Sequence, residues 1–178
     1  MILIRIDRVK GDVAIPGYVD WFVAESFDFS VGSRVSVKES SQDLEREEAE
    51  SQELSITKTT DCATVYLMHM AMKGRSQSGT QVTTVDIHVI EPKHLAAEDS
   101  SSKPVKAFLK IRIENAIVQT WSISGSDSRP TETISIWFNR AAMKYSSSSD
   151  GKTFQVHGPL GWDQFKNQDW KPDSLMRE

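Results

Sequence analysis

The side chains best suited to chemistry are four histidines (His69, His88, His94 and His157), one cysteine (Cys62), and the strand carboxylates Asp86, Glu114 and Glu132. The histidines fall in no zinc-ligand spacing, and a single cysteine rules out a thiolate cluster. His69 has no second histidine three or four positions away, so it reads as a packed or interface residue. A serine nucleophile would need a GxSxG elbow, which is absent, and Ser126 and Ser128 sit where a polar hairpin turn explains them better. Ser146 to Gly151, SSSSDG, lacks the glycine spacing and lysine of a phosphate-binding loop. Asp86, Glu114 and Glu132 are expected to be solvated or paired at an interface. We therefore assign no catalytic, cofactor-binding or metal-ligating residue, and the chain reads as a non-enzyme.

The elements that would position these residues centre on Ala107 to Tyr145, which reads as two long strands joined by a polar turn. Ala107, Leu109, Ile111 and Ile113 alternate with Lys110 and Arg112, the two-residue period of a half-buried strand. The alternation blurs at Ala116, Ile117 and Val118, which predicts a bulge or a crossing from one cover to another. Gly125, Ser126, Asp127, Ser128 and Pro130 supply turn chemistry. The return strand sets Ile134, Ile136 and Phe138 against Thr133, Ser135 and Trp137. After Asn139 the apolar phase moves to Ala141, Met143 and Tyr145, as where a sheet curls over.

Earlier in the chain Ile2, Ile4 and Ile6 mark a first strand. Val19, Trp21, Val23, Phe27, Phe29 and Val31 mark a long second one with a bend at Glu25. Residues Leu54 and Ile56 form a short strand, and Thr83, Val85, Ile87 and Val89 line the inner face of another. The stretch from Asp61 to Lys73 is the one helix, capped by Thr60 or Asp61 and stopped by Gly74. Val65, Tyr66, Leu67, Met68, Met70 and Met72 surround most of it, so its own fold or a neighbour must enclose it. A last strand through Phe154 and Val156 leads to GPLGWDQFKN. The expected fold is mainly β: a single barrel of two curled antiparallel sheets with one flanking helix over about residues 61–73, in a domain spanning 1–167 with a loose tail at 168–178.

A chain of 178 residues can bury a real core without staples, and its 38% hydrophobic content suits a soluble protein. No run reaches the roughly 20 apolar residues of a bilayer span. Arg5, Asp7 and Arg8 interrupt the start before a signal-peptide core could form. One cysteine permits no internal disulfide. The net charge of −4 is unevenly spread, since residues 1–53 hold 12 acidic and 6 basic side chains. An acidic leading third argues against nucleic acid as a partner, and opposite charge at the two ends favours head-to-tail self-contact. The most acidic segment, Lys38 to Glu50, reads either as a solvated loop or as an arm that docks on another subunit.

Several strings, in this order, are similar to one known family. They are the opening strand with VKG, VDWFVAESFDFSVG, ELSITKTTD running into the helix, SISGSDSRPTETISIWFNRAAMKY, and Gly161, Trp162 and Asp163 followed by Asn167. The chain resembles the haemolysin-coregulated protein (Hcp) family, the inner-tube subunit of bacterial type VI secretion systems, over most of residues 1–167. It departs from the family in its acidic 38–50 loop, where relatives tend to be glycine-rich, and in an extended connection from Glu91 to Pro104.

The resemblance implies a β barrel whose copies form hexameric rings. Rings stack into a tube that is exported through the type VI apparatus without a signal peptide, carrying or chaperoning effectors, with spike and sheath proteins as further partners. It needs no cofactor and no membrane insertion, and the protein is cytoplasmic before assembly. The expected subunit contacts are Glu45, Glu47 and Glu48 on the arm and Val65, Met68, His69 and Met72 on the helix. Two alternatives remain open: a stand-alone lectin-like module using Trp21, Trp121, Trp137 or Trp162, and a family member that no longer polymerises.

Overall fold

The computed structural model describes residues 1–32, 35–37, 44–46, 53–73, 83–91, 106–125, 127–147 and 155–173. In chain order the strands are β1 (Ile2–Ile6), β2 (Phe22–Ala24), β3 (Ser26–Ser30), β4 (Val35–Val37), β5 (Leu44–Arg46) and β6 (Glu53–Thr59). Helix α1 (Ala63–Lys73) follows, then β7 (Thr83–Ile90), β8 (Ala107–Ser124), β9 (Thr131–Trp137), β10 (Arg140–Ser147), β11 (Gln155–Asp163) and β12 (Gln168–Asp169). The architecture is mainly β, as expected, and α1 is the helix that flanks the sheets among the described residues.

Strand β8 belongs to two sheets. Its first half lies between β7 and β10 in a sheet ordered β12-β11-β10-β8-β7-β1-β2, and its second half pairs with β9 in a sheet ordered β3-β6-β9-β8. All these pairings are antiparallel, and β4 and β5 form a separate two-stranded pair. The crossing occurs where the alternation blurred. Asn115 takes a left-handed φ of 55°, and the register against β7 slips between Ile113 and Ala116. Asn tolerates that region better than most residues, and the extra residue bends the strand so that it can leave one sheet for the other.

Two expected long strands are each divided between the sheets. The run from 19 to 31 is β2 on the first sheet and β3 on the second, with a corner at Glu25, whose N–H donates to the Thr57 carbonyl at 2.9 Å. Asp20, at φ 66°, shifts the side-chain phase just before β2. Phe22 and Ala24 are therefore buried, whereas Val19 and Val23 are exposed, a correction to the single parity expected there. The return strand likewise divides at Phe138–Asn139 into β9 and β10. Ile134, Ile136 and Phe138 are buried as expected, but Met143 and Tyr145 are exposed, and Ala142 and Lys144 are buried instead.

The sheets enclose one main core built from Ile4, Ile6, Phe22, Leu54, Ile56, Val85, Ile87, Ile111, Ile113, Ile134, Ile136 and Phe138. A second, smaller cluster lies on the opposite face of the first sheet, where Tyr18 and Trp21 cover Leu3, Ile90 and Ala107. Residues 168–170 are tied back: β12 pairs with the end of β11, and the Trp170 N–H donates to the Gly161 carbonyl at 2.9 Å.

Candidate assembly surfaces and the network behind them

Helix α1 begins where Asp61 caps it. The Asp61 Oδ1 accepts from the Ala63 N–H at 2.8 Å, and the Thr64 hydroxyl accepts from the Asp61 N–H at 3.0 Å, a reciprocal cap worth about 1 kcal/mol. Its own fold encloses only one face. Ala63 and Leu67 reach the main core, with Met70 and Ala71 packed partly against it. Val65, Tyr66, Met68, His69 and Met72 are exposed, Met72 at 77%. Val65, Met68 and Met72 stand at i, i+3 and i+7, so they form one continuous apolar stripe along the outer face.

Behind the helix N-terminus lies a polar network with no contact with solvent at its centre. Lys58 and Glu132, on neighbouring strands β6 and β9, are cross-strand partners, and both are 0% exposed. The Lys58 Nζ donates to Glu132 Oε1 at 2.6 Å, to Asp61 Oδ1 at 2.7 Å and to the Thr59 carbonyl at 2.7 Å. It also lies 5.5 Å from the centre of the Phe22 ring. Glu132 accepts further from the Trp121 Nε1–H at 2.7 Å and from the Thr64 hydroxyl at 3.0 Å. All three ammonium hydrogens and both carboxylate oxygens are used, the condition under which a buried ion pair is tolerated. The network joins β6, β8, β9 and the cap of α1, and so fixes where the stripe points.

The other strand carboxylates are also spoken for. Arg5 and Arg112 grip Asp86 at 2.6 and 3.0 Å, and Arg112 reaches Glu114 at 3.1 Å. Arg140 continues the ladder, 4.0 Å from Glu114 and 2.6 Å from Asp163. Asp86 and Glu132 are thus buried and paired inside the chain, not solvated or at an interface as expected. The missed signal was parity: Lys58 follows Leu54 and Ile56 on the inner face of its strand, and Glu132 precedes Ile134 and Ile136.

The histidines are dispersed. His69 lies on the exposed helix face, and His157 is on β11, beside Tyr145. His88 is half-buried between Tyr18 and Trp21, with its Nδ1 3.2 Å from the Tyr18 hydroxyl. Burial, aided by Lys110, lowers its pKa to about 4. The Cys62 thiol is exposed but held, donating to the Lys10 carbonyl at 3.1 Å, and the neighbouring Asp12 carboxylate pushes its pKa up to about 11. Among the described residues no three His, Cys, Asp or Glu side chains converge as a metal site requires. His94, Ser126, Glu47 and Glu48 lie outside the described residues, and Glu45 is described only as backbone, opposite Ser36 in the β4–β5 pair.

The tryptophans do not gather at a mouth. Trp21 is buried, Trp121 spends its N–H on Glu132, Trp137 is on β9 in the second sheet, and Trp162 is on β11 in the first. The GWD string divides its labour. A Cβ on Gly161 would meet the Ala141 carbonyl and the Ala142 Cβ at 2.5 Å, so glycine allows the tail to close over the strand. Asp163 holds Arg140 and accepts from the Lys166 N–H at 3.0 Å, while Trp162 projects from the other face, half-exposed.

Among the described residues, Asp86, Glu114, Glu132 and Asp163 are held in ladders within the chain, and helix α1 turns an apolar stripe outward on a two-sheet β fold, the make-up of a structural building block. The family model described as "Type VI secretion system effector, Hcp" matches residues 3–145, and the chain belongs to that family. No curated protein sequence matches it. In fold it is similar to a solved type six secretion system protein, with 21% identity, a TM-score of 0.74, and 95% of this chain and 98% of that one covered. It is similar also to Hcp1 from Salmonella typhimurium, with 15% identity, a TM-score of 0.66, and 95% and 97% covered. A chain of the PVC sheath–tube complex of an extracellular contractile injection system shares 10% identity at a TM-score of 0.53, with 81% and 88% covered. Among the described residues no helix is long and apolar enough to cross a membrane.

Proposed function

We propose that this protein is the repeating subunit of a type VI secretion tube. Copies join into hexameric rings, rings stack, and the tube leaves the cell through the type VI apparatus carrying or chaperoning effectors. Spike and sheath proteins are its further partners, and it waits in the cytoplasm before assembly. Its work is mechanical, not catalytic, and residues 1–167 act as one assembling domain with 168–178 as an appendage.

The observation that carries this reading is the bare stripe of α1. Membership of the family says that copies associate, and the stripe is greasy surface that one chain leaves uncovered. Val65, Met68, His69 and Met72 are the contacts within the ring. The acidic Glu45, Glu47 and Glu48 supply the contact with the next ring, so this second contact weakens as salt rises.

Light scattering on the Met68→Lys/Met72→Lys variant tests the helix contact. Both side chains are exposed, so the variant folds, and the expected mass is that of a single chain at concentrations where the unaltered protein is a ring. An unchanged ring mass overturns the assignment of the helix as a ring contact.

A further inference from the structure

Between β1 and β2 the chain leaves the first sheet and lies over its outer face. Val9 is fixed in the main core before this segment and Phe22 after it, and left-handed residues stand at its two ends, Arg8 at φ 67° and Asp20 at φ 66°. Its backbone is bonded to itself. The Gly11 and Val13 N–H groups donate to the Asp20 and Trp21 carbonyls at 2.9 Å each, and the Tyr18 N–H donates to the Ile15 carbonyl at 2.8 Å. A Cβ on Gly11 would collide with the Trp21 carbonyl, so glycine lets the two limbs close. Toward α1 the segment is tied by solvent-exposed bonds between Cys62 and both Lys10 and Asp12. Side chains hold it to the sheet, where Tyr18 and Trp21, with Val13 and Ile15, cover Leu3, Ile90 and Ala107. Residues 10–21 can therefore part from the sheet without breaking a strand pairing.

His88 is the polar group under that cover. It stands opposite Leu3 of β1 and Lys110 of β8, and Lys110 in turn stands opposite Lys144 of β10. Its Nδ1 is 3.2 Å from the Tyr18 hydroxyl, and its ring centre lies 4.7 Å from that of Trp21 and 5.5 Å from that of Tyr18. The charged groups that face it are Arg5 from β1, Lys110 from β8 and Asp86 from its own strand. Only Asp86 is negative, and its two oxygens are already divided between Arg5 and Arg112. A proton on His88 thus puts a further cation into a covered site beside two others, where burial itself opposes charge. Contact with the two aromatic rings offsets only part of that cost.

We propose that residues 10–21 are a strap released by acid, with His88 as its latch. While the strap is down, the imidazole is neutral and bonded to Tyr18. When it lifts, water reaches the ring, which then binds a proton with its ordinary affinity. Because the open form takes the proton and the closed form refuses it, falling pH draws the strap open, from about 6.5 toward about 4. Over that window the ratio of closed to open falls by up to about 300-fold. Opening bares Leu3, Ile90 and Ala107 and leaves the main core in place. The device belongs to one chain, so it stands whether or not copies assemble.

Fluorine NMR of the full chain carrying 5-fluorotryptophan tests this, with the Trp21 signal assigned from Trp21→Phe. That signal is expected to move toward the position of a solvent-exposed tryptophan between about pH 6.5 and about pH 4, while those of Trp121 and Trp137 on the second sheet hold theirs. In His88→Gln, whose side chain stays neutral, the Trp21 signal is expected to keep one position across the range. A Trp21 signal that is unmoved at pH 4, that moves together with all the others, or that moves equally in His88→Gln overturns the inference.

Discussion

The ammonium of Lys58 lies 2.6 Å from the carboxylate of Glu132, and neither side chain has any surface in contact with solvent. Seventy-four positions apart in sequence, they meet as direct partners on β6 and β9, under the first turn of α1. Through Asp61 the same lysine holds the helix cap, so one buried cation links the interior of the second sheet to the element that presents the apolar stripe.

Removing the cation alone strands the carboxylate. Lys58→Met is expected to cost about 3–5 kcal/mol, the usual penalty for breaking a buried pair from one side. Glu132→Gln in the same chain is expected to recover much of it, because glutamine still accepts from Trp121 without a buried charge. Urea unfolding of both variants measures the difference. A single substitution costing under about 1 kcal/mol contradicts the buried-pair account.

His88 predicts a window of acid sensitivity. Tyr18, Trp21, Asp86, Arg5 and Lys110 face it, and burial with Lys110 holds its folded pKa near 4, below the ordinary 6.5. Between those values the unfolded chain binds the proton and the folded chain does not, so stability is present above about pH 6.5 and is lost as pH falls toward 4. The loss is on the order of 2–3 kcal/mol. His88→Gln is expected to flatten that part of the stability–pH curve, and denaturant midpoints at pH 7, 5.5 and 4.5 compare the two. Parallel curves contradict the assignment.

Cys62 should be slow to react although it is exposed. Asp12 beside it disfavours the thiolate and raises its pKa to about 11, from an ordinary 9.0. Alkylation at pH 8 is therefore expected to run between about ten and a hundred times slower than that of a free thiol, because the thiolate is the nucleophile. Asp12→Asn is expected to restore most of the rate. Mass spectrometry of iodoacetamide time courses reads both, and equal rates in the two proteins contradict the role of Asp12.

What the sequence disclosed was local. Ile134, Ile136 and Phe138 alternate because one sheet face is buried, and the helix stands between residues that start and stop helices. The blur at Ala116 to Val118 marked the crossing of β8, since a phase change is itself a local signal. What stayed hidden depends on distant covers. Nothing near Met143 and Lys144 says that the lysine is the one that is buried. The pairing of Lys58 with Glu132 likewise needs the β6–β9 register, although a charge of each sign on an inner face was a hint. The corners at Glu25 and Asn139 read as bends within strands, because an apolar run continues through a change of sheet.

Electron microscopy of the unaltered protein tests the central claim most directly. Annular particles of six 20.0 kDa chains, some stacked end to end, are the expected result. A uniform field of single small particles at every protein concentration contradicts the account of this chain as a tube subunit.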